Sequence, residues 1–321
     1  MQTNPNTTPA PSTIRHLSGV TELTHWGVIR AVGADAASFL QGQLTQDVAQ
    51  MGLADARLAA FCNNKGRMQA SFIVVKRSPD EFLLVCSRDI LAATLKRLSM
   101  FVMRAKAVLT DATEDFSLFG MAGYAIENIA TDVQKIHAAA TFDDISVVSL
   151  YPGAGVARAL RIAPTAAAAP EGETLGAGLW AWLEVQSGVA MISQPIFEAF
   201  VPQMLNYESV GGVNFKKGCY PGQEIVARSQ FRGTLKRRAY LLHAEITEAK
   251  VGQEVFHASD AEQPCGLVAA WGANPNGGVD MIISMQTSAA ADADDAKLTL
   301  GSPEGAALHL RSLPYALLED I

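Results

Sequence analysis

The chain has 321 residues, of which 49% are hydrophobic and 18% charged, and its formal net charge is -7. This length and composition are typical of a compact protein that buries its own core, with about two domains at roughly 100–200 residues each. The acidic balance excludes a protein whose whole surface coats nucleic acid or an anionic membrane, but it leaves room for a local basic patch.

The first 13 residues lack the apolar stretch of a signal peptide, and we expect them to form a disordered tail. No apolar run reaches the ~20 residues that cross a bilayer. The four cysteines form no CxxC pair, which argues against a zinc ribbon or a four-cysteine iron–sulfur centre. The sequence therefore predicts a cytoplasmic protein with no metal site and no membrane partner.

The first third of the chain predicts strands at 25–32, 57–62, 67–76 and 81–86 and a helix at 88–103. A short helix is expected after Asp35, which is suited to be its N-cap. Gly66 supplies a positive φ between the second and third strands, and this predicts a hairpin. Residues 72–75 are all apolar, so this strand is expected to lie inside its sheet.

The middle of the chain predicts strands at 116–119, 145–150 and 157–162 around a helix near 132–138. An Ala/Pro/Gly-rich stretch at 165–178 is typical of a linker, and helical spacing returns at 180–189. From residue 237 onward, short runs separated by Gly, Pro and Asp predict a small all-β barrel or sandwich. Residues 288–295 are expected to form a polar surface loop.

These patterns divide the chain into four parts: a tail at 1–13, an α+β module at 14–115 completed by 179–236, a second α+β module with its linker at 116–178, and a β-barrel at 237–321. The sequence contains no GxGxxG, GxxxxGK[ST] or HExxH motif. Nucleotide-phosphate and zincin interpretations therefore have no support.

The strongest chemical signal is the segment Lys217-Gly218-Cys219-Tyr220-Pro221-Gly222-Gln223-Glu224. Cys219 lies between two glycines, after two lysines, and before a Pro-Gly turn that leads into a predicted helical turn. Nearby positive charge and a helix N-terminus both lower the pKa of a thiol and favour the thiolate. This predicts a reactive cysteine supported by Lys217. The alternative is that the glycines shape a domain junction and the thiol is incidental.

Three weaker features also admit a ligand, and each has a structural alternative. A basic stretch suits a carboxylate or RNA phosphates but is also typical of a solvated face; its members are Arg228, Arg232, Lys236, Arg237 and Arg238. Tryptophans could stack on a flat heteroaromatic ligand or pack the core; they are Trp26, Trp180, Trp182 and Trp271. Gln41 and Gln43 could form a polar wall or the end of a capped helix.

Residues 216–228, centred on Lys-Gly-Cys-Tyr-x-Gly-Gln-Glu, resemble the signature of the YgfZ family. These folate-binding proteins are related to the glycine cleavage T protein, an aminomethyltransferase, and to mitochondrial iron–sulfur assembly factors of the Iba type. The resemblance extends over most of the chain and is visible at 26–50, 59–68, 180–188 and 200–206.

The resemblance implies an α+β, glycine-cleavage-T-like folate-binding fold of ferredoxin-like modules with a C-terminal β-barrel. It makes residues 14–115 a folate-binding module and implies tetrahydrofolate or a derivative in a central cleft. The implied partners are iron–sulfur client enzymes, including those that thiolate tRNA, which gives a direct or indirect link to tRNA. The residues expected to contact or order the folate are Trp26, Trp180, Gln43, Gln223, Glu224 and Arg228.

Three functions follow. The favoured one is a tetrahydrofolate-binding factor for assembly or repair of iron–sulfur enzymes, in which Cys219 acts with Lys217 in support. The second is a folate-dependent aminomethyl transferase, and the third is a non-catalytic folate sensor or RNA-binding regulator. Residues 64–70 lack the acid that aminomethyltransferases carry after a Gly-Gly turn, and Gln69 cannot relay a proton. The sequence therefore favours a factor without turnover of its own over a transferase.

Overall fold

The computed structural model describes residues 16–127, 135–231, 235–293 and 297–318. The predicted tail at 1–13, residues 132–134 of the predicted helix near 132–138, and Arg232 lie outside these ranges. The rest of that predicted helix, residues 135–138, forms a turn and the start of a bridge rather than a helix.

The described strands are β1 Gly19–Glu22, β2 Trp26–Val32, β3 Ala56–Cys62, β4 Met68–Ser78, β5 Glu81–Ser87, β6 Val108–Asp111, β7 Phe116–Ala122, β8 Ala139–Phe142, β9 Ile145–Gly153, β10 Val156–Pro164, β11 Arg237–Ala244, β12 Glu254–His257, β13 Gly266–Ala273, β14 Val279–Gln286, β15 Leu298–Leu300, β16 Ala306–Ala307 and β17 His309–Arg311. The helices are α1 Ala36–Gln41, α2 Arg88–Ser99, α3 Ala177–Gln186, α4 Gln223–Phe231 and α5 Thr287–Ala291, with 3-10 turns at Gly123–Ile126, Gln194–Ile196 and Pro202–Leu205.

The strands form three sheets whose neighbouring strands are antiparallel. The first sheet has the order β3-β4-β5-β2-β6, and the second has the order β1-β7-β10-β9-β8. The third has the order β16-β15-β12-β13-β14-β11-β17, and its two edge strands are separated in sequence by Leu308 alone. The third sheet therefore curls until its edges nearly meet, and we call it the barrel sheet. The predicted α+β architecture with a C-terminal barrel is confirmed.

The hairpin of β3 and β4 forms as predicted. Gly66 in its turn has φ +70°, a conformation that a side chain would disfavour. Residues 72–75 of β4 are buried on both faces, since the first sheet packs against other layers on each side. The interior position predicted for this strand is confirmed.

Two local predictions were wrong. The helix expected at 88–103 ends at Ser99 and is followed by turns at 100–103, where the side chains of Met100 and Met103 are 62% and 88% exposed. The surface loop expected at 288–295 begins instead as helix α5, because Ala289 is buried against the core of the barrel sheet; residues 294–295 of this prediction lie outside the described ranges.

The segment between α3 and α4 joins the first sheet to the barrel sheet. Its apolar side chains, among them Ile192, Leu205 and Tyr207, belong to the same core cluster as Phe72 of β4 and Ile282 of β14. This packing brings α3 and all three sheets together around a central cavity. Among the described residues, no helix is both long enough and apolar enough to span a bilayer.

Candidate functional site

A cavity of about 230 Å³ lies where the three sheets meet. The first sheet contributes Trp26 and Phe72 to its wall, the second sheet contributes Tyr151, and the barrel sheet contributes Trp271. A concave site with aromatic walls and a few polar groups is the common form of a small-molecule site.

Glu184 of α3 supplies the carboxylate of the cavity. Its Oε1 lies 3.9 Å from Nη2 of Arg158 on β10, and its Oε2 lies 3.7 Å from Nε2 of His25. Arg158 is only 4% exposed, and its burial lowers the pKa of the guanidinium to about 10, although Glu184 opposes this shift. Its buried Nε has no hydrogen-bond partner among the described residues. The cavity thus offers an ionic acceptor and a donor side by side.

Of the two tryptophans predicted to bind folate, the structure brings only Trp26 to the cavity wall. Trp180 is 1% exposed and does not line the cavity. The Arg158 guanidinium carbon lies 4.3 Å from the centre of the Trp180 ring. Trp180 therefore contacts Arg158 through a cation–π interaction without lining the cavity itself.

The stretch that lacks an acid, residues 64–70, does not line the cavity. Gln69 donates a hydrogen bond to Oε1 of Glu198 at 2.7 Å and does not line the cavity, whereas Ser71 does. The acid of the cavity comes from α3 instead, and sequence reasoning missed it. The available signal was charge, because Glu184 is the one charged residue in the largely apolar helix Ala177–Gln186.

The Cys219 segment forms a second location, at the turn of the β3–β4 hairpin. Gly222 packs there against the backbone of Asn63 and Gly66. Cys219 is exposed, as predicted, and α4 begins four residues later. Cys219 does not line the cavity, so the thiol and the cavity are two separate places in the structure.

Lys217 is tied to the end of α1. Its Nζ donates a hydrogen bond to the backbone oxygen of Leu44 at 2.6 Å and another to that of Gln41. Burial lowers the pKa of the Lys217 ammonium to about 8, while Asp47 and Cys219 oppose this shift. Lys217 therefore holds the Cys219 segment against the end of α1.

The remaining predicted ligand residues, Gln43, Gln223, Glu224 and Arg228, do not line the cavity. Arg228 donates a hydrogen bond to Oε1 of Glu224 at 2.6 Å on the exposed side of α4. The structure brings these residues together with the Cys219 segment or α1, away from Trp26. A role in ordering that segment remains a prediction for them.

Replacement of Gly222 by alanine is expected to destabilise the Cys219 segment. Gly222 has φ +78°, and an added Cβ would lie 2.4 Å from the backbone oxygen of Asn63. The strain and the clash together cost about 2 kcal/mol or more, which thermal unfolding measures as a lower Tm. Gly218→Ala is the matched control, because no atom of the described residues lies within 4 Å of its added Cβ. Equal melting temperatures for the two variants would contradict this account.

The native protein is expected to expose one fast-reacting thiol of its four. Burial raises the pKa of Cys62 and of Cys86 to about 12, and it raises the pKa of Cys265 as well. A chromogenic disulfide reagent should therefore label Cys219 first and the other three only after unfolding. A Cys219→Ser variant should lack the fast phase; a fast phase that survives in this variant would refute the assignment.

Comparisons with known proteins bear on the family resemblance and on the fold. Residues 9–163 match the family described as the GCVT N-terminal domain. The chain is 29% identical over 316 residues to the tRNA-modifying protein YgfZ of Enterobacter sp. (strain 638), covering 92% of this chain and 93% of that protein.

The fold is that of the glycine cleavage T proteins. The crystal structure of aminomethyltransferase T of the glycine cleavage system from Bartonella henselae superposes with a TM-score of 0.63. The match covers 94% of this chain and 89% of that one at 14% identity, so it shows a shared fold. The family resemblance and the fold predicted from the sequence are both confirmed.

Proposed function

Since this chain is a YgfZ-like protein, we propose that its central cavity binds tetrahydrofolate or a derivative and that the protein serves tRNA modification. The finer part of the proposal is that it assists the assembly or repair of iron–sulfur enzymes that modify tRNA. It includes the cytoplasmic location predicted from the sequence.

The pair of Glu184 and Arg158 inside an aromatic cavity supports the ligand most directly. A pterin ring carries two N–H donors, at N3 and at the 2-amino group, next to a carbonyl acceptor at C4. A carboxylate can accept from both donors, and the free Nε–H of Arg158 is suited to donate to the carbonyl. Trp26 and Phe72 offer apolar surface for the flat ring.

Cys219 supports the iron–sulfur part of the proposal. It is an exposed thiol in the electrostatic field of Lys217, and thiolates are the usual protein ligands of iron–sulfur clusters. In this proposal the folate cavity and the thiol are two separate sites, and client enzymes approach the exposed thiol. The cluster belongs to the client and is handled only transiently.

Titration of tetrahydrofolate against intrinsic tryptophan fluorescence tests the ligand. Trp26 lines the cavity, so the wild-type protein should be quenched and a Trp26→Phe variant should lose part of that quenching. Trp180→Phe is the matched control, because it removes a tryptophan that does not line the cavity and should keep the quenching that Trp26→Phe loses. Absence of quenching in all three proteins would refute folate binding.

Complementation of a deletion strain tests the thiol. A Cys219→Ala variant should fail to restore iron–sulfur enzyme activity and tRNA thiolation, although it still binds tetrahydrofolate in solution. Full restoration would remove Cys219 from the mechanism and leave the folate site untouched.

A folate-dependent aminomethyl transfer is the second candidate, and Glu184 is the observation that favours it. The acid absent from β4 is replaced in the cavity by one from α3. Conversion of an aminomethyl donor and tetrahydrofolate to methylene-tetrahydrofolate by the purified protein would establish this candidate. Absence of product with saturating donor would exclude it.

A further inference from the structure

The cations of the basic stretch fall into two groups in the structure: some pair with a carboxylate, and others line a cleft. Arg228 pairs with Glu224 at 2.6 Å. Arg238 is buried, with its Nη1 2.7 Å from Oε1 of Glu208. Lys236 and Arg237, in contrast, both line a second cleft.

This second cleft, of about 690 Å³, is larger than the central cavity. It lies between the 3-10 turn Pro202–Leu205, the end of α4 and the adjoining ends of β11 and β14. Lys236 is exposed, and Nη1 of Arg237 donates to the backbone oxygen of Cys265 at 3.1 Å, which fixes the guanidinium. Hydroxyl groups and apolar side chains complete the wall, namely Ser229, Thr287, Ser288, Val201, Met204 and Leu235.

Gln203 adds an unsatisfied acceptor to this wall. The residue is 0% exposed, and its Nε2 donates to the backbone oxygen of Val226 at 2.7 Å, which fixes the orientation of the amide. Its Oε1 has no hydrogen-bond partner among the described residues. A buried acceptor without a partner is costly, and such groups often mark a ligand position.

We propose that this cleft binds a nucleotide of single-stranded RNA. Its phosphate lies against Lys236 and Arg237, and an N–H of its base approaches Gln203 from the cleft. Met204 and Leu235 supply the apolar surface against which a base packs. The chain has a net charge of -7, so two cations beside an apolar wall make this cleft positive where the protein as a whole is negative. A positive cleft favours a partner that carries phosphate.

The site is separate from the folate cavity, and the inference rests on the proposed function only in taking RNA as the biological context. The two can therefore fail independently. Variants of the cleft should leave the quenching of tryptophan fluorescence by tetrahydrofolate unchanged, and variants of the cavity should leave RNA binding unchanged.

Fluorescence anisotropy with a labelled oligouridine of about ten nucleotides tests the proposal. The double variant Lys236→Glu/Arg237→Glu should bind at least about tenfold more weakly than the wild type. The slope of log Kd against the logarithm of salt concentration should become shallower by about two, which corresponds to about two lost phosphate contacts. Lys250→Glu is the matched control, since it reverses an exposed charge on the barrel outside the cleft. The single variant Lys236→Glu changes only an exposed side chain and should fold normally, so weaker RNA binding by this variant cannot be attributed to misfolding.

Competition separates RNA from a free nucleotide with the same chemistry. Unlabelled oligouridine should displace the probe at far lower concentration than uridine monophosphate or inorganic phosphate. Equal competition by uridine monophosphate, no binding at low salt, or equal losses in the Lys250→Glu control would each overturn the proposal.

Discussion

Substitution of Glu184 by glutamine is expected to weaken tetrahydrofolate binding by about 100-fold. Glutamine keeps one acceptor but turns an NH2 group toward ligand donors, so at least one charge-assisted hydrogen bond is lost and a donor is left facing a donor. The loss is about 3 kcal/mol, which corresponds to that change in Kd. Titration of tryptophan fluorescence or calorimetry gives the Kd directly.

The control for this substitution is Glu81→Gln. Glu81, like Glu184, lies beside an arginine; it accepts a hydrogen bond from Nε of Arg30 at 2.7 Å, but it lies on the first sheet away from the cavity. It removes the same charge and should leave the Kd unchanged. Equal effects of the two substitutions would mean that net charge, rather than contact in the cavity, controls binding.

Thermal unfolding separates a lost contact from a lost fold. Glu184 lies 3.9 Å from Arg158 and 3.7 Å from His25, both outside hydrogen-bond distance, so glutamine breaks no direct hydrogen bond to either residue. Because Arg158 is buried and Glu184 stabilises its charge, we expect a moderate fall in Tm. A large fall in Tm together with the fall in affinity would assign Glu184 a structural role.

Local patterns predicted the elements because they depend on neighbours in sequence. The β3–β4 hairpin follows from two apolar runs and from Gly66 in the turn, and all of this information lies within about twenty residues. The pairing of β1 with β7 in the second sheet has no such signal. These strands are distant in the chain, and their pairing is decided by how the layers pack.

The candidate site shows the same limit in one helix. Trp180 and Trp182 of α3 are both buried, because the helix has packed layers on more than one side. Its residues are apolar around most of the circumference, so spacing alone could not show which side faces a ligand. Glu184 was passed over for this reason, although it is the one charged residue of this largely apolar helix.

The Cys219 segment was recognisable from its residues, but its neighbours were not. The contacts of Lys217 with the end of α1 and of Gly222 with the hairpin turn join parts of the chain that are far apart in sequence. They explain the glycine and the lysine structurally, and they leave Cys219 exposed. Chemical function is therefore better tested at Cys219 than at Lys217.

The largest expected effect on stability belongs to Asp280 of β14. This carboxylate is 3% exposed, and its Oδ2 accepts hydrogen bonds from three side chains: Trp182 Nε1 at 2.6 Å, Gln186 Nε2 at 2.8 Å and Asn274 Nδ2 at 2.8 Å. Its Oδ1 lies 2.7 Å from Nδ1 of His243. Replacement by alanine leaves buried donors unpaired and should cost about 3–5 kcal/mol, measured by denaturant unfolding.

Two of these donors lie on α3, on either side of Glu184 in sequence, so Asp280 connects the barrel sheet to the helix that carries the acid of the cavity. Trp182→Phe removes one donor and keeps most of the ring packing, and it should cost about 1–2 kcal/mol. Asn274→Ala removes a donor to the same oxygen from the barrel side and is the matched control.

If the barrel positions Glu184, Trp182→Phe should weaken tetrahydrofolate binding, and Asn274→Ala should lower stability alone. A double-mutant cycle between Trp182→Phe and Glu184→Gln sharpens the test, because residues that act through each other give non-additive losses. Additive losses in affinity would show that the Asp280 network stabilises the fold without setting the position of the acid. Non-additive losses would show that the barrel sheet positions Glu184 for the ligand, although the Asp280 network does not itself contact the ligand.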